Sequence, residues 1–571
     1  MSLIKETWEK RGWMKVLAAF VINAAFLALM LTCFEPRFET NDDVLMSKFV
    51  DGQFSVKTAY VPFINIVLGA FLKLLYTVGG DGFNWYSFTQ YAVLFLGFSA
   101  ITWVLLRRFR LFPALVMTAL IFGAVGTDAY LSMNFSKPAG IATVGAMALI
   151  AYAMRNEQGR VMKLPLVLGL LLGAVGYMWR IEEFGVTALL MASLCIVPLC
   201  EILFEKPELK LKARIGSAAR YLAPFVLLAC IAVGLFAFNE YAWHRDEIDE
   251  YYTFDVRRSL LIDFYIPDYR EMPEVYDELE MDENFVYMMK KWSFYDTEKF
   301  SLENIKKLIS VRDDFVPRKT MGECLGVFLN ECLGGFLLDR PVGAFLFMLV
   351  LWLACGKRGV KEWLSLMYMG GMFFAIYMFM IWSERYLANR VDIGMFLAMA
   401  VVLSFMLDRE KLKDEKLLLT AVLCLSLFIS YRSSRSTLVF DEHNTIEDKS
   451  AAKAAIERVL EDDENLYFVK VWSIDHEMYG PLECAPAGYA DKLVHIGGWS
   501  MHHPVIVDIL DSYEIDNPYK DIVNHPNCYI IDNDVERTVA YISKFYYPGA
   551  KAELVEPISS ETGLKIYRIT G

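Results

Sequence analysis

Residues 84–127 read NWYSFTQYAVLFLGFSAITWVLLRRFRLFPALVMTALIFGAVGT. Two apolar runs, 84–106 and 111–127, bracket Arg107, Arg108 and Arg110. A helix needs roughly 20 apolar residues to cross about 30 Å of hydrocarbon. Both runs therefore predict membrane spans, and the arginines between them predict a cytoplasmic loop. The same pattern recurs near 13–34, 138–154, 163–179, 184–204, 218–238, 341–356, 361–382, 391–407 and 416–431.

The composition agrees. The chain has 571 residues, 56% hydrophobic and 22% charged, with forty Phe, thirty Tyr and twelve Trp. That is more apolar chain than one soluble surface hides, and it excludes disorder, a collagen-like fibre and a small disulfide scaffold. The net charge of −13 is uneven: residues 239–340 carry −10 and residues 432–571 carry −11, leaving +8 on the rest. Two acidic, water-facing blocks are set into a basic membrane body. The bilayer is one expected partner, and nucleic acid is not.

Segment 60–77, YVPFINIVLGAFLKLLYT, is apolar but holds Pro62, Asn65 and Lys73. If it spanned, every later loop would flip and the RRFR cluster would face outward. If it does not, the presumed cytoplasmic loops carry 22 Lys/Arg and the outer short loops eight, as the positive-inside rule requires. The segment is therefore expected to lie as a helix at the outer interface. That leaves eleven spans in the plasma membrane, with the N-terminus cytoplasmic and the C-terminus extracytoplasmic. The first span has a basic flank (Lys10, Arg11, Lys15), about 20 apolar residues and no small-x-small site before Glu35, which predicts an uncleaved signal anchor.

The expected fold is an α-helical polytopic membrane protein of about eleven transmembrane helices, with a helical outer loop domain and a C-terminal soluble α/β domain. Its parts are an N-terminal membrane module, 1–238, whose first outer loop is 35–83; an extracytoplasmic helical domain, 239–340; membrane helices, 341–431; and an extracytoplasmic α/β domain, 432–571. In the second part Ser301 is expected to cap SLENIKKLIS. The apolar stretch 321–338, with Glu323 and Glu331, is expected to lie against the membrane or the bundle. The tail predicts a helix near 449–460, strands at Leu466–Val471, 504–508, 528–531 and 564–569, and a helix near 535–545. Cys484 and Cys528 both lie in the tail and could pair, but the sequence leaves that open. Six of seven His lie in the tail, including His495, His502 and His503, but without metal-ligand spacing.

The chemical signal lies in the first outer loop, FETNDDVLMSKFVDGQF. Asp42 and Asp43 begin a short amphipathic stretch with Thr40 or Asn41 as N-cap. Acids at a helix start have an ordinary role, favoured by the helix dipole. Their place at the membrane surface gives a second one, since adjacent carboxylates facing a cleft suit general-base work or a divalent cation.

Together, NDD at 41–43, the interfacial segment 60–77 and WY at 85–86 opening the second span resemble the polytopic GT-C glycosyltransferases. Protein O-mannosyltransferases and lipid A aminoarabinose transferases are examples. The acid pair common there, D-E, is D-D here. The resemblance implies a GT-C-like fold and transfer of a sugar from a polyprenyl-phosphate donor to an extracytoplasmic acceptor, a glycan, lipid or protein of the cell envelope. It implies a single inverting displacement in which Asp42, ahead of Asp43, deprotonates the acceptor hydroxyl and lipid phosphate leaves. The one cofactor the residues suggest is a divalent cation on Asp42 and Asp43, and the sequence leaves metal dependence open.

A leaving phosphate needs cations. The outward candidates are Lys137 in NFSKPAG, Arg180 in YMWRIEEFG, and Arg385 and Arg390 in WSERYLANR. Each also has a plain reading, as a snorkelling anchor or as the partner of Glu182, Glu183, Glu384 or Asp392. Two other functions stay open. A lipid or polysaccharide transporter would show inverted repeats and broken helices, and none is visible. A non-catalytic envelope assembly protein would not need Asp42 or the outward cations.

Overall fold

The computed structural model describes residues 12–154, 161–205, 210–315, 318–330, 340–385, 389–444, 446–470, 474, 479–560 and 562–571. In chain order, α1 (Gly12–Cys33) leads through β1 (Arg37–Phe38) into α2 (Asn41–Asp51), α3 (Ile66–Gly79) and α4 (Trp85–Arg108). Next come α5 (Leu111–Ile121), a π-helical turn at Phe122–Gly126, α6 (Thr127–Leu131), β2 (Ser132–Met133) and α7 (Ser136–Met154). Helices α8 (Lys163–Trp179), α9 (Ile181–Met191), α10 (Ile196–Phe204) and α11 (Leu211–Trp243) complete the first membrane module.

Among the described residues, seven helical stretches are long and apolar enough to cross a membrane: Gly12–Cys33, Trp85–Arg108, Leu111–Leu131, Ser136–Met154, Ile181–Phe204, Leu211–Trp243 and Val360–Trp382. The chain is an integral membrane protein. The other expected spans are shorter helices: α8, α17 (Arg340–Cys355), α19 (Asn389–Phe405) and the apolar start of α20 (Lys416–Asn444). Helix α18 (Val360–Trp382) lies between α17 and α19.

Helix α7 is the axis of the bundle, buried along nearly its whole length and packed by α4, α8, α9 and α19. Small residues let the backbones close up where hydrocarbon supplies no hydrophobic drive. A Cβ at Gly145 of α7 would stand 2.8 Å from the Gly97 carbonyl of α4, and one at Gly173 of α8 would stand 2.7 Å from Leu228.

Segment 60–77 resolves into an extended entry and the 14-residue α3, too short to cross. The helix starts at Ile66 because Asn65 accepts from the Val67 N–H at 3.0 Å. Phe63, just before it, holds φ at 70°, a left-handed conformation that costs a non-glycine residue energy.

The segment between α11 and α17 contains α12 (Ile248–Ile262), α13 (Pro273–Glu278), α14 (Glu283–Lys290), α15 (Leu302–Phe315) and α16 (Met321–Asn330). Ser301 caps α15 as expected, accepting from the Asn304 N–H. Cys324 and Phe328 of α16 pack on Met378, Tyr377 and Phe374 of α18, leaving Met321, Leu325 and Leu329 exposed at helical spacing. Residues 331–339, including Glu331, lie outside the described residues.

The tail is an α/β domain. After α21 (Ile446–Leu460), strands β3 (Leu466–Val469), β4 (Leu493–His495), β5 (Cys528–Asp532), β6 (Lys551–Pro557) and β7 (Lys565–Thr570) form a mixed sheet ordered β4-β3-β5-β7-β6. Two strands, β4 and β6, were not anticipated. The strand expected at 504–508 is instead α22 (Pro504–Ser512). Its buried Val505, Ile506, Ile509 and Leu510 recur at helical spacing, and Pro504 occupies the first turn, where its missing N–H costs nothing. Helix α23 (Val535–Phe545) falls where predicted. Cys484 is exposed, Cys528 is buried, and both are free thiols, so the two do not pair.

Buried Asp296 fastens the tail to the α12–α16 segment. Its carboxylate accepts from Asn517 at 3.0 Å, Tyr541 at 2.6 Å and Tyr546 at 2.7 Å.

Candidate active site

The first loop is fixed at its start by a parallel ladder between β1 and β2, extended by the Glu39 N–H to the Met133 carbonyl at 2.7 Å. Thr40, in extended conformation, opens α2, and Gly52 closes it with φ at 88°, its N–H returning to Lys48. The Thr40 hydroxyl does not cap. It faces Asp42 at 3.4 Å and accepts from Asn134 at 3.2 Å.

The two acids part company. Asp43 is wholly buried. It accepts from the Tyr86 hydroxyl at 2.9 Å and Gln90 at 2.7 Å on one oxygen, and from Asn134 at 3.2 Å on the other. Burial above all, with Asp42 and Glu39 nearby, pushes its pKa up to about 7, against the pull of its donors. Asp42 is half-buried and turned elsewhere. Its carboxylate accepts from the indole N–H of Trp499, in the C-terminal domain, at 3.0 Å.

The four proposed cations have different neighbours. Lys137 is out of solvent and paired with Glu39 at 2.7 Å and Asp128 at 2.6 Å; it also donates to the Ser132 carbonyl. Arg390 approaches the other oxygen of Glu39 at 3.7 Å, and its Nε is buried without a hydrogen-bond partner. Glu39 therefore stands between two of the cations, three residues before Asp42. Arg180 bonds Ser136 at 2.6 Å, approaches Glu182 at 3.6 Å and lies over the Phe135 ring at 4.7 Å. Arg385 is exposed and lies over the Phe264 ring at 4.9 Å; among the described residues no carboxylate pairs with it.

The acids expected to neutralise these arginines mostly face elsewhere. Glu384 pairs with Lys319 at 2.9 Å, and Asp392 accepts from the Tyr377 hydroxyl. Glu183 turns into the bundle towards Thr187, against Gly140 and Gly394, where a Cβ would stand 2.7 and 2.0 Å from its oxygen.

A row of rings joins Arg180 to the acid pair. Phe135 stacks on Phe63 at 5.8 Å, Phe63 meets Trp499 edge-on at 5.1 Å, and Trp499 reaches Asp42. None of these rings was marked in the sequence. Trp499 lies 457 residues from Asp42, and no local pattern announces such a pairing. Glu39 had a signal, an acid one helical turn before the pair.

Metal ligation finds no cluster: among the described residues no group of three or more His, Cys, Asp or Glu converges to hold an ion. Asp42 and Asp43 direct their carboxylates at different partners. A separate apolar groove, with a volume near 590 Å³, runs between α1 and α4, lined by Leu27, Phe88, Tyr91 and Phe95 and edged by Leu482 of the tail.

No family model and no curated protein matches this sequence. One solved structure is similar. It is the crystal structure of ArnT from Cupriavidus metallidurans in the apo state, 10% identical, with 96% of this chain and 97% of that chain covered at a TM-score of 0.41.

Proposed function

We propose that this protein is a membrane glycosyltransferase of GT-C type. It would move a sugar from a polyprenyl-phosphate donor to an extracytoplasmic acceptor with inversion. The observation that carries the reading is the position of Glu39. It ties Lys137 and Arg390 to the loop that bears Asp42 and Asp43, so an acid pair and cations from three distant chain segments meet at one place.

Within this reading Asp42 is the general base, because it is the acid with access to solvent, while Asp43 is enclosed by three donors. A base within reach of the acceptor hydroxyl is worth about 10²–10⁴ in rate. Arg180, Arg385 and Arg390 are the cations open to a phosphate. Lys137 holds the loop by neutralising Glu39 and Asp128. The leaving phosphate takes up its charge beside fixed guanidinium groups and needs no proton from a second acid.

The test is transfer by purified protein in proteoliposomes, offered a panel of polyprenyl-phosphate hexoses and pentoses with envelope extract as acceptor. Release of polyprenyl phosphate from one donor, lost by about 10²–10⁴ in Asp42→Asn, is the expected result. A panel without turnover would remove the reading.

A further inference from the structure

The geometry points to Trp499 as a positioning residue for Asp42, so that the C-terminal domain supplies part of the active site. This rests on the reading of Asp42 as the base. The indole N–H donates to Asp42 Oδ1 at 3.0 Å. Among the described residues one other side-chain donor serves that carboxylate, the Thr40 hydroxyl at the longer distance of 3.4 Å. A half-buried carboxylate held by one short, charge-assisted bond takes its direction from that bond.

The indole itself is held from every side. Phe49, on the same helix as Asp42, stacks on it at 5.9 Å, and Phe63 meets it edge-on. Its backbone carbonyl accepts from the Tyr251 hydroxyl at 2.9 Å. Trp499 is 5% exposed. The turn that delivers it depends on Gly497, where a Cβ would stand 2.0 Å from the Trp292 carbonyl. His503, four residues on, packs on Phe49 and Tyr251 and bonds the Tyr60 carbonyl at 3.0 Å. The C-terminal domain thus grips both the helix carrying the base and the interfacial entry at residue 60. A tryptophan placed only for packing would not need its one polar atom on the acid.

The experiment is a double-mutant cycle on polyprenyl phosphate release, with the donor that the panel above identifies. Trp499→Phe keeps a ring between Phe49 and Phe63 and removes the donor. It should lower kcat about tenfold, with KM for the donor changed by less than about twofold. In an Asp42→Asn background the same substitution should cost nothing further, because the group it orients is gone. Site-specific replacement of Trp499 by 3-benzothienylalanine, which keeps the shape and lacks the N–H, should match Trp499→Phe even if phenylalanine loosens the domain. Full activity in the benzothienyl protein, or an equal loss in both backgrounds, overturns the assignment while leaving Asp42 as base. An active Asp42→Asn protein, or a panel without turnover, overturns both.

Discussion

Lys137 places its ammonium 2.7 Å from Glu39, with its whole side chain out of solvent. A buried cation between two carboxylates neutralises charge that would otherwise stand unpaired, and removing one partner of such a set is typically worth about 3–5 kcal/mol. Lys137→Met should therefore cut the yield of folded protein and lower Tm in detergent. Arg390→Ala, on the more open side of Glu39, should fold normally and lose about 10- to 150-fold in transfer at limiting donor, the equivalent of one charge-assisted phosphate contact. Fluorescence-detected size exclusion and donor titration separate the two outcomes.

Asp42 and Asp43 should fail in different ways. Asp42→Asn should insert and melt like the parent while transfer falls by about 10²–10⁴. Asp43→Ala strands the donors of Tyr86, Gln90 and Asn134, each left buried at a cost of about 1–3 kcal/mol. Its Tm should drop before activity can be read. The reverse pattern, a stable but inactive Asp43 variant beside an active Asp42 variant, would exchange their roles.

Burial holds the pKa of His502 near 4 and that of His503 near 3. The bonds of His503 fit one neutral tautomer: its Nε2–H donates to the Tyr60 carbonyl while Nδ1 accepts from the Val505 N–H. An unfolded histidine titrates near 6.5. With folded values below that, stability is complete above about pH 6.5 and is lost as pH falls towards 3–4. Asp43 runs the other way. Its raised carboxyl favours folding below about pH 4, and that contribution is lost as pH rises through 7. Limited proteolysis at pH 7 and pH 5 should show the C-terminal domain released more readily at pH 5. A His502→Gln/His503→Gln protein should lose that excess release and, with Asp43 still titrating, resist at least as well at pH 5 as at pH 7.

The crossings around α7 leave no room for side chains. Gly145→Leu or Gly173→Leu should prevent assembly of the bundle, and Gly234→Leu on α11, where a Cβ meets nothing within 4 Å, should be tolerated. Yields of monodisperse protein will report the difference.

The proposed sidedness rests on 22 Lys/Arg against eight in the two sets of short loops. Reporter fusions at the C-terminus should read extracytoplasmic. A cytoplasmic reading would put every residue of the proposed site on the wrong face.

What could be read from the residues alone was whatever local pattern controls. Apolar runs marked the membrane helices, the Lys/Arg balance of the loops argued against a span at 60–77, and NDD marked a helix start. Strand 504–508 was misjudged because VIV suits either structure, and the choice depended on what the helix packs against. The enclosure of Asp43 and the contact of Trp499 with Asp42 arise only when distant segments fold together, so neither left a mark in a short window. The candidate cations were nominated by counting charge in the loops, a global property, and counting could not show that Lys137 is already paired with Glu39 and Asp128.

The Asp296 fastening bears on how the protein is made. The outer loop helices are synthesised before α17 to α20, and the residues that hold Asp296 come after all four. The outer part therefore closes only when the last membrane helix is in place and the final α/β segment has emerged. Until then Asp42 lacks its indole partner, so a truncated or stalled chain at the membrane carries an unfinished site.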